Sequence, residues 1–279
     1  MGTKQALGIV ALLLLATACK TTHNFPAKEG PIAKSPLMKD RSVAKDQIKV
    51  ISFNIEYAKK IDEAIEELRT TPTLQNADLL LLQEMDEGGT QRIADSLDFN
   101  YVYYPATINR NAQDFFGNAI LSKWPITEEE KWVLPYPNPH NKGIRIFMGV
   151  SIHILQQKVR VYNVHSETIV RCGGKRLKQH QLIAQKIQEQ AEEGPVILGG
   201  DFNTFFRKNR RQSVELFESI GLTWANHDVK HTAESFWFKM VRKRYDHVFF
   251  RGFEFIDAGR NAQSIVGDHF PLWVTLRLK

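Results

Sequence analysis

The sequence predicts a single α/β domain over residues 48–279, and three features predict it. Continuous apolar runs such as Leu79-Leu80-Leu81-Leu82 and Val196-Ile197-Leu198 have the form of strands buried on both faces. Amphipathic stretches with helical spacing lie between such runs. Acids, amides and histidines recur near strand ends, where rigid backbone can hold chemically active groups in place.

Residues 1–18 stand apart from this domain. One lysine precedes a stretch from Ala6 to Ala18 that is almost all apolar, shorter than the ~20 residues of a membrane-spanning helix. With small residues ahead of Cys19, it has the form of an export signal. The ending Leu15-Ala16-Thr17-Ala18-Cys19 resembles a bacterial lipoprotein signal, which implies lipidation at Cys19 and residence in the cell envelope. It departs from the common form in having Ala, not Leu, at position 16. Residues 19–47, with Pro26, Pro31 and Pro36 and little apolar periodicity, are expected to be a lipidated flexible tether. The chain has two cysteines, so with Cys19 lipidated Cys172 has no partner and no disulfide framework is expected. The basic neighbours Arg171, Lys175 and Arg176 could activate its thiol, although one cysteine is more simply incidental.

The elements of the domain follow in order. Ile48 to Asn54 forms a strand, and Ala64, Ile65 and Leu68 mark a surface helix. Ala77 to Glu84 is a buried strand ending in a carboxylate. Tyr101-Val102-Tyr103-Tyr104 and Phe116 to Leu121 are two more, with Asn118 near the start of the second. Arg145 to Ile154 and Val159 to His165 form a hairpin turning near Gln156-Gln157. Leu177 to Ala191 is helical. Tyr245 to Phe250 and His269 to Leu278 are the last strands. No internal repeat or second linker interrupts this sequence.

The chain is organised around Pro195-Val196-Ile197-Leu198-Gly199-Gly200-Asp201-Phe202-Asn203. An apolar strand runs into two glycines, which permit a turn or a close backbone approach. Asp201 and Asn203, two apart, share one side in an extended chain and could together hold a water, a metal or a phosphate. A plain turn would also use these residue types. What separates the two readings is the company of Asn54, Glu84, His165, Asp246, Asp268 and His269 at other strand ends.

The ordered set Phe53-Asn54, Gln83-Glu84, Gly117-Asn118-Ala119-Ile120-Leu121, Asn163-Val164-His165, Gly199-Gly200-Asp201-Phe202-Asn203, Tyr245-Asp246-His247 and Gly267-Asp268-His269-Phe270-Pro271 resembles the endonuclease/exonuclease/phosphatase superfamily. Deoxyribonuclease I, abasic-site endonucleases, inositol-polyphosphate phosphatases and bacterial sphingomyelinases belong to it. The departures are flanking: Val164 where many members have Thr, and Gly267 where Ser is usual. The resemblance implies a four-layer sandwich, two facing and mainly antiparallel β-sheets flanked by helices, with the site at one edge.

It also implies a metal-dependent hydrolase of phosphate esters. Asn54, Glu84 and Asp268 would serve a divalent metal. Hard oxygen ligands, without a cysteine pair or histidine cluster at zinc spacing, favour Mg²⁺ or Mn²⁺. Asp201 would orient or deprotonate the attacking water, and Asn203 would contact water or phosphate. His165 and His269 would serve the phosphoryl group, with Asp246 orienting His269. Asn118 and Arg145 are candidates for phosphate contact.

The basic groups suggest which ester. The chain carries 37 basic and 31 acidic residues, a formal charge of +6, which alone is only weakly suggestive of an anionic partner. Their placement says more. Arg207-Lys208-Asn209-Arg210-Arg211, Arg242-Lys243-Arg244, and Lys175, Arg176 and Lys178 all flank predicted catalytic elements. A basic rim of this kind suits a nucleic-acid backbone, and Trp237 could stack on a base or serve the core. A sphingomyelinase-like activity would gain from the membrane tether, but no long apolar hairpin is evident. Action on small phosphate esters such as inositol phosphates would use the same catalytic groups. A non-catalytic surface lipoprotein that binds nucleic acid or a partner would not need them. No feature marks an oligomer interface, so a monomer is expected.

Overall fold

The computed structural model describes residues 22–41, 46–109, 114–168, 173–190, 194–234 and 242–279. The expected signal, Cys19, Cys172 and Trp237 lie outside the described residues. The first sheet contains β1 (Ala33–Lys34), β2 (Gln47–Asn54), β3 (Leu79–Met85), β4 (Asn100–Asn109) and β5 (Asp114–Ser122). The second contains β6 (Thr127–Val133), β7 (Ile146–Ile154), β8 (Gln157–His165), β9 (Val196–Asp201) and β10 (Thr223–Trp224). A short ribbon, β11 (Ala233–Glu234) with β12 (Arg242–Lys243), leads to β13 (Asp246–Arg251) in the second sheet. The chain closes with β14 (Phe253–Arg260) and β15 (Leu272–Leu278) in the first. Strand order is β1-β4-β5-β3-β2-β15-β14 and β10-β13-β9-β8-β7-β6.

Each sheet is antiparallel except for one central pair, β2–β3 and β8–β9. The first pair is joined through helix α1 (Ile61–Thr70) and the second through α3 (Gly173–Gln190). Helices α2 (Glu87–Leu97) and α4 (Arg207–Glu218) complete the two outer layers. Two β-helix-β units therefore face each other, and the C-terminal ends of β2, β3, β8 and β9 supply Asn54, Glu84, His165 and Asp201.

Layering explains the all-apolar strands. Leu79 and Leu81 enter the core between the sheets, while Leu80 and Leu82 lie under α1 and α2. Ile197 likewise faces the inter-sheet core, and Val196 and Leu198 pack beneath α3 and α4. A strand covered on both faces must be apolar at every position, and burying each such side chain is worth roughly 1.5–3 kcal/mol.

The two glycines have different duties. A Cβ on Gly199 would lie 2.6 Å from Leu81 Cδ1 of the facing sheet. Gly200 has φ 138, and a Cβ there would lie 2.1 Å from Val164 O. Only glycine permits both the backbone conformation and the closeness of β8. Gly267 has a comparable reason: a Cβ would come 2.8 Å from Glu56 Cβ, so a serine there would displace Glu56.

The structure corrects the expected tether at 19–47. Within it, residues 22–41 lie on the domain. β1 pairs antiparallel with β4, Phe25 N donates to Ala106 O at 2.9 Å, and Ile108 N donates to His23 O at 2.9 Å. Ile32 and Met38 pack on the inter-sheet core. The low periodicity that suggests a tether reflects a segment with few apolar anchors, held mostly by backbone hydrogen bonds to the edge of β4. The last strand also starts later than expected, at Leu272, because Pro271 precedes it.

Candidate active site

The candidate catalytic side chains converge where the two parallel pairs end. Asp201 is buried at the centre. Its Oδ2 lies 3.6 Å from His165 Nε2, 3.8 Å from His269 Nε2, 3.3 Å from Asn54 Nδ2 and 3.0 Å from Asn203 Nδ2. Its Oδ1 accepts from Asn203 N at 2.9 Å. Asn203 adopts φ 50, which an Asn tolerates better than most residues, and its Nδ2 also donates to Ser166 O at 3.1 Å.

Glu84 reaches the site through a bulge. Pairing between β3 and β5 shifts register between Gln83 and Met85, and Glu84 takes φ 59. Such an extra residue re-aims its side chain out of the strand's alternation. The carboxylate comes 3.8 Å from His165 Nε2 and is hydrogen-bonded by Asn54. Asp268 is exposed, and its negative charge acts on both Glu84 and His269.

The two histidines occupy opposite electrostatic settings. His269 Nδ1 is 2.9 Å from Asp246 Oδ2. Burial opposes charge on this ring, but Asp246, Asp201 and Asp268 together raise its pKa well above the usual value. Asp246 is itself held by Thr232, whose Oγ1 accepts from the backbone N–H of both Tyr245 and Asp246 at 3.0 Å. His165 Nδ1 instead faces Arg145 at 3.4 Å. Burial, Arg145 and His269 all push its pKa well below the usual value, so it is neutral. Burial raises the pKa of Asp201 and of Glu84, with neighbouring cations working against it.

These residues fit a divalent cation. Buried carboxylates that resist ionisation gain from a positive ion beside them. His165 Nε2 is buried without a hydrogen-bond partner although carboxylates stand on two sides of it. The oxygen donors Glu84 and Asn54, with Asp268 nearby, are of the kind that hold Mg²⁺ or Mn²⁺. Asp201, Asp246 and His269 also come within 4.8 Å of one another. That second group, with His269 Nδ1 2.9 Å from Asp246 Oδ2, has the donor set either of a cation site or of an acid–base triad.

Several functional residues carry no clear signal in the sequence. Asn163 Nδ2 donates to Leu82 O and Ala119 O, both at 2.8 Å, and Gln83 Nε2 donates to Asn163 Oδ1 at 2.7 Å. This amide pair locks the sheets together beneath the site, and the motif match alone does not disclose that role. Ser166 Oγ is 3.0 Å from His180 Nε2, whose Nδ1 is 2.8 Å from Ser213 Oγ. Tyr57, with its pKa raised by Glu84 and by burial, stands at the rim. Asn118 is buried, and its Nδ2 donates to Ile146 O at 3.2 Å, bracing β5 against the strand that follows Arg145. Arg176 is not part of a basic rim either. It is buried, with Nε donating to Glu167 O at 2.7 Å.

The profile described as the Endonuclease/Exonuclease/phosphatase family matches residues 51–269, from β2 to His269. The chain belongs to this family. Its members are phosphoester hydrolases, generally dependent on divalent metal. The fold is shared with solved structures. A family protein from Bacteroides vulgatus is 16% identical, with a TM-score of 0.68 over 84% of this chain and 100% of that one. One from Bacteroides thetaiotaomicron is 19% identical, with a TM-score of 0.64 over 84% and 98%. A D. rerio TDP2 humanized by 14 mutations is 17% identical, with a TM-score of 0.63 over 84% and 100%. At these identities the likeness is one of fold. No curated protein matches the sequence.

Proposed function

We propose that the chain is a divalent-metal-dependent phosphodiesterase that cleaves nucleic acid, exported and lipid-anchored in a bacterial cell envelope. The observation that carries the substrate is a crowd of cations beside the catalytic centre. Arg207, Arg210 and Arg244 line two adjoining grooves, one also lined by Lys208 and Arg211, the other by Lys230, Arg242 and Lys243. Arg244 and Arg207 each lower the pKa of Arg210, after burial. Four of these cations occupy the first turns of α4, whose positive end disfavours them. Among the described residues, acids meet this surface at Glu215 beside Arg211, at Glu234 beside Arg242 and His231, and at Asp228, which acts on Arg244, fewer than the cations present. Unbalanced cations at a helix N-terminus favour a polyanion such as a phosphate backbone. Tyr245, next to Arg244, packs on His269 with ring centroids 5.7 Å apart, so this surface abuts the site.

In this reading Mg²⁺ or Mn²⁺ at Glu84 and Asn54, with Asp268 nearby, supplies charge neutralisation at the phosphoryl oxygens. Asp201 orients the attacking water and accepts its proton, and Asn203 fixes the Asp201 carboxylate. His269, held protonated by Asp246, donates to the phosphoryl group. His165 is neutral and presents Nε2 beside Asp201 as a hydrogen-bonding group for the same phosphate. Arg145 places a guanidinium on that side.

The test uses the purified full chain with plasmid DNA, structured RNA, sphingomyelin and an inositol phosphate, each with Mg²⁺, Mn²⁺ or chelator. Chelator-sensitive cleavage of nucleic acid that weakens with salt supports the proposal. Turnover confined to the lipid or the inositol phosphate keeps the hydrolase and discards the nucleic-acid substrate. Anchoring is tested separately: Cys19→Ser should move the protein out of the membrane fraction, and unchanged fractionation would refute lipidation. A monomer is expected by sedimentation.

A further inference from the structure

The N-terminal segment is built into the molecule beside the site. Thr22 Oγ1 donates to Asn141 O at 2.6 Å, and Asn24 Nδ2 donates to Lys142 O at 3.0 Å. Asn24 Oδ1 accepts from Ile144 N at 3.2 Å, one residue before Arg145. Lys131 Nζ donates to Phe25 O at 3.1 Å and to Gly30 O at 3.3 Å from a buried position. These contacts clasp the loop that launches Arg145 towards His165.

The clasp forms one wall of a cleft of ≈ 260 Å³. Thr22, Thr107 and Gly143 line it together with Tyr57, Phe116 and Arg145. The cleft adjoins the catalytic centre, because Arg145 contacts His165 Nδ1 at 3.4 Å and Phe116 packs on the His165 ring at 5.6 Å. This flank is unlike the basic grooves: it has one cation and two aromatic rings.

We infer that this cleft is a subsite for one unpaired nucleotide next to the scissile phosphate, with the N-terminal segment as part of its wall. The inference rests on the proposed reading of the chain as a nucleic-acid phosphodiesterase. The cleft lies just under the usual size range of small-molecule sites, so it admits one ring-bearing unit and excludes a duplex. Tyr57 is exposed and braced by the buried Phe116 ring, with centroids 5.4 Å apart, and offers a π-face on which any base can stack. Arg145 lies over the Phe116 ring at 4.8 Å and meets the adjoining phosphate. A paired base would first have to leave its stack, so single strands and strand ends are preferred.

The test compares kcat/KM of the full chain on a single-stranded oligonucleotide with values on versions lacking the base on either side of the scissile bond. Removing the base on one side should lower kcat/KM roughly tenfold, the size of a single stacking contact. Thr22→Trp, which fills the cleft with an indole, should bring the ratio between the two substrates close to one. Gly143→Val does the same from another wall, since a Cβ there meets Asn141 Oδ1 at 3.1 Å and Thr107 Cγ2 at 3.7 Å, both residues of the cleft lining. It keeps the test open if Thr22→Trp fails to fold by circular dichroism. Indifference of the wild type to base removal on both sides would overturn the inference, as would a folded wedge variant that retains the full ratio. Cleavage of sphingomyelin or inositol phosphate with no nucleic acid turned over would instead sink the underlying reading, and the occupant with it.

Discussion

His165 and His269 sit on either side of Asp201, at 3.6 and 3.8 Å from the same oxygen, and end up in opposite states. His269 comes from the approach to β15 in the first sheet and carries Asp246 on its Nδ1. His165 comes from the end of β8 in the second and carries Arg145. Burial disfavours charge on both rings; Asp246, Asp201 and Asp268 overcome it at His269, while Arg145 adds to it at His165, so one ring bears a proton and the other is neutral. The same division runs outward. The His269 flank meets the cation-lined grooves, and the His165 flank adjoins the aromatic cleft. On the proposed reading, one flank would serve as a track for a charged backbone and the other as a receptacle for a single ring.

The most severe way to break the comparison is to remove the centre both halves share. Asp201→Asn and His269→Ala should each lower turnover by about 10³-fold or more while near-ultraviolet circular dichroism stays native. Near-normal turnover in either would end the assignment.

A second intervention exchanges the electrostatics without touching the rings. Asp246→Asn should lower the pKa of His269, and Arg145→Met should raise that of His165, both read by NMR titration of the ring protons. The His269 shift carries a sign for activity. Its proton is held to higher pH by Asp246, so activity falls as pH rises through the raised pKa. Asp246→Asn should move that alkaline limb to lower pH and reduce kcat by about 10²-fold. An unmoved limb would separate His269 from the acid role.

On the outer flank, Arg207→Gln with Arg210→Gln should raise KM for an oligonucleotide roughly tenfold and flatten its dependence on salt. The same pair should leave kcat on a small phosphate diester within about twofold. Equal losses on both substrates would mean that these cations support the fold and not the backbone track.

The smallest effect concerns His180, buried between Ser166 and Ser213 behind Asn203. Burial, with Arg176, depresses its pKa to about 3 from an ordinary 6.5. Between those values the unfolded chain binds a proton that the folded chain refuses, so stability falls as pH drops through this window. His180→Gln should lower stability at pH 7 by about 1–2 kcal/mol through its lost hydrogen bonds and make the acid slope shallower. Denaturant melts of both proteins from pH 7 to pH 4 check this, and parallel slopes would refute it.

Much of this architecture is legible in the sequence, for a physical reason. A strand covered on both faces must be apolar throughout, so β3 and β9 are visible as Leu79 to Leu82 and Val196 to Leu198. Catalytic groups at the ends of such strands stand out because polar residues interrupt apolar runs there, which is what marks Asn54, Glu84, His165, Asp201 and Asp246. Helix α4 and strands β6 and β14 give no such signal. Their charged or irregular sequences present only one partly apolar face. Arg176 is misplaced by sequence reasoning because a polar side chain in a sequence does not show whether it points to solvent or spans two elements.

By itself, then, the sequence determined the α/β layering, the order of the strands that carry chemistry, and the family. It did so because periodicity and short motifs are local properties of the chain. The tertiary structure alone decided how those ends meet. It set the bulge that aims Glu84, the partners that charge one histidine and discharge the other, and the joining of cations from α4 and β12 around two grooves. It also decided that residues 22–41 belong to the domain, with Thr22 in the wall of the cleft. Those outcomes depend on distances between residues far apart in sequence, and only packing sets such distances.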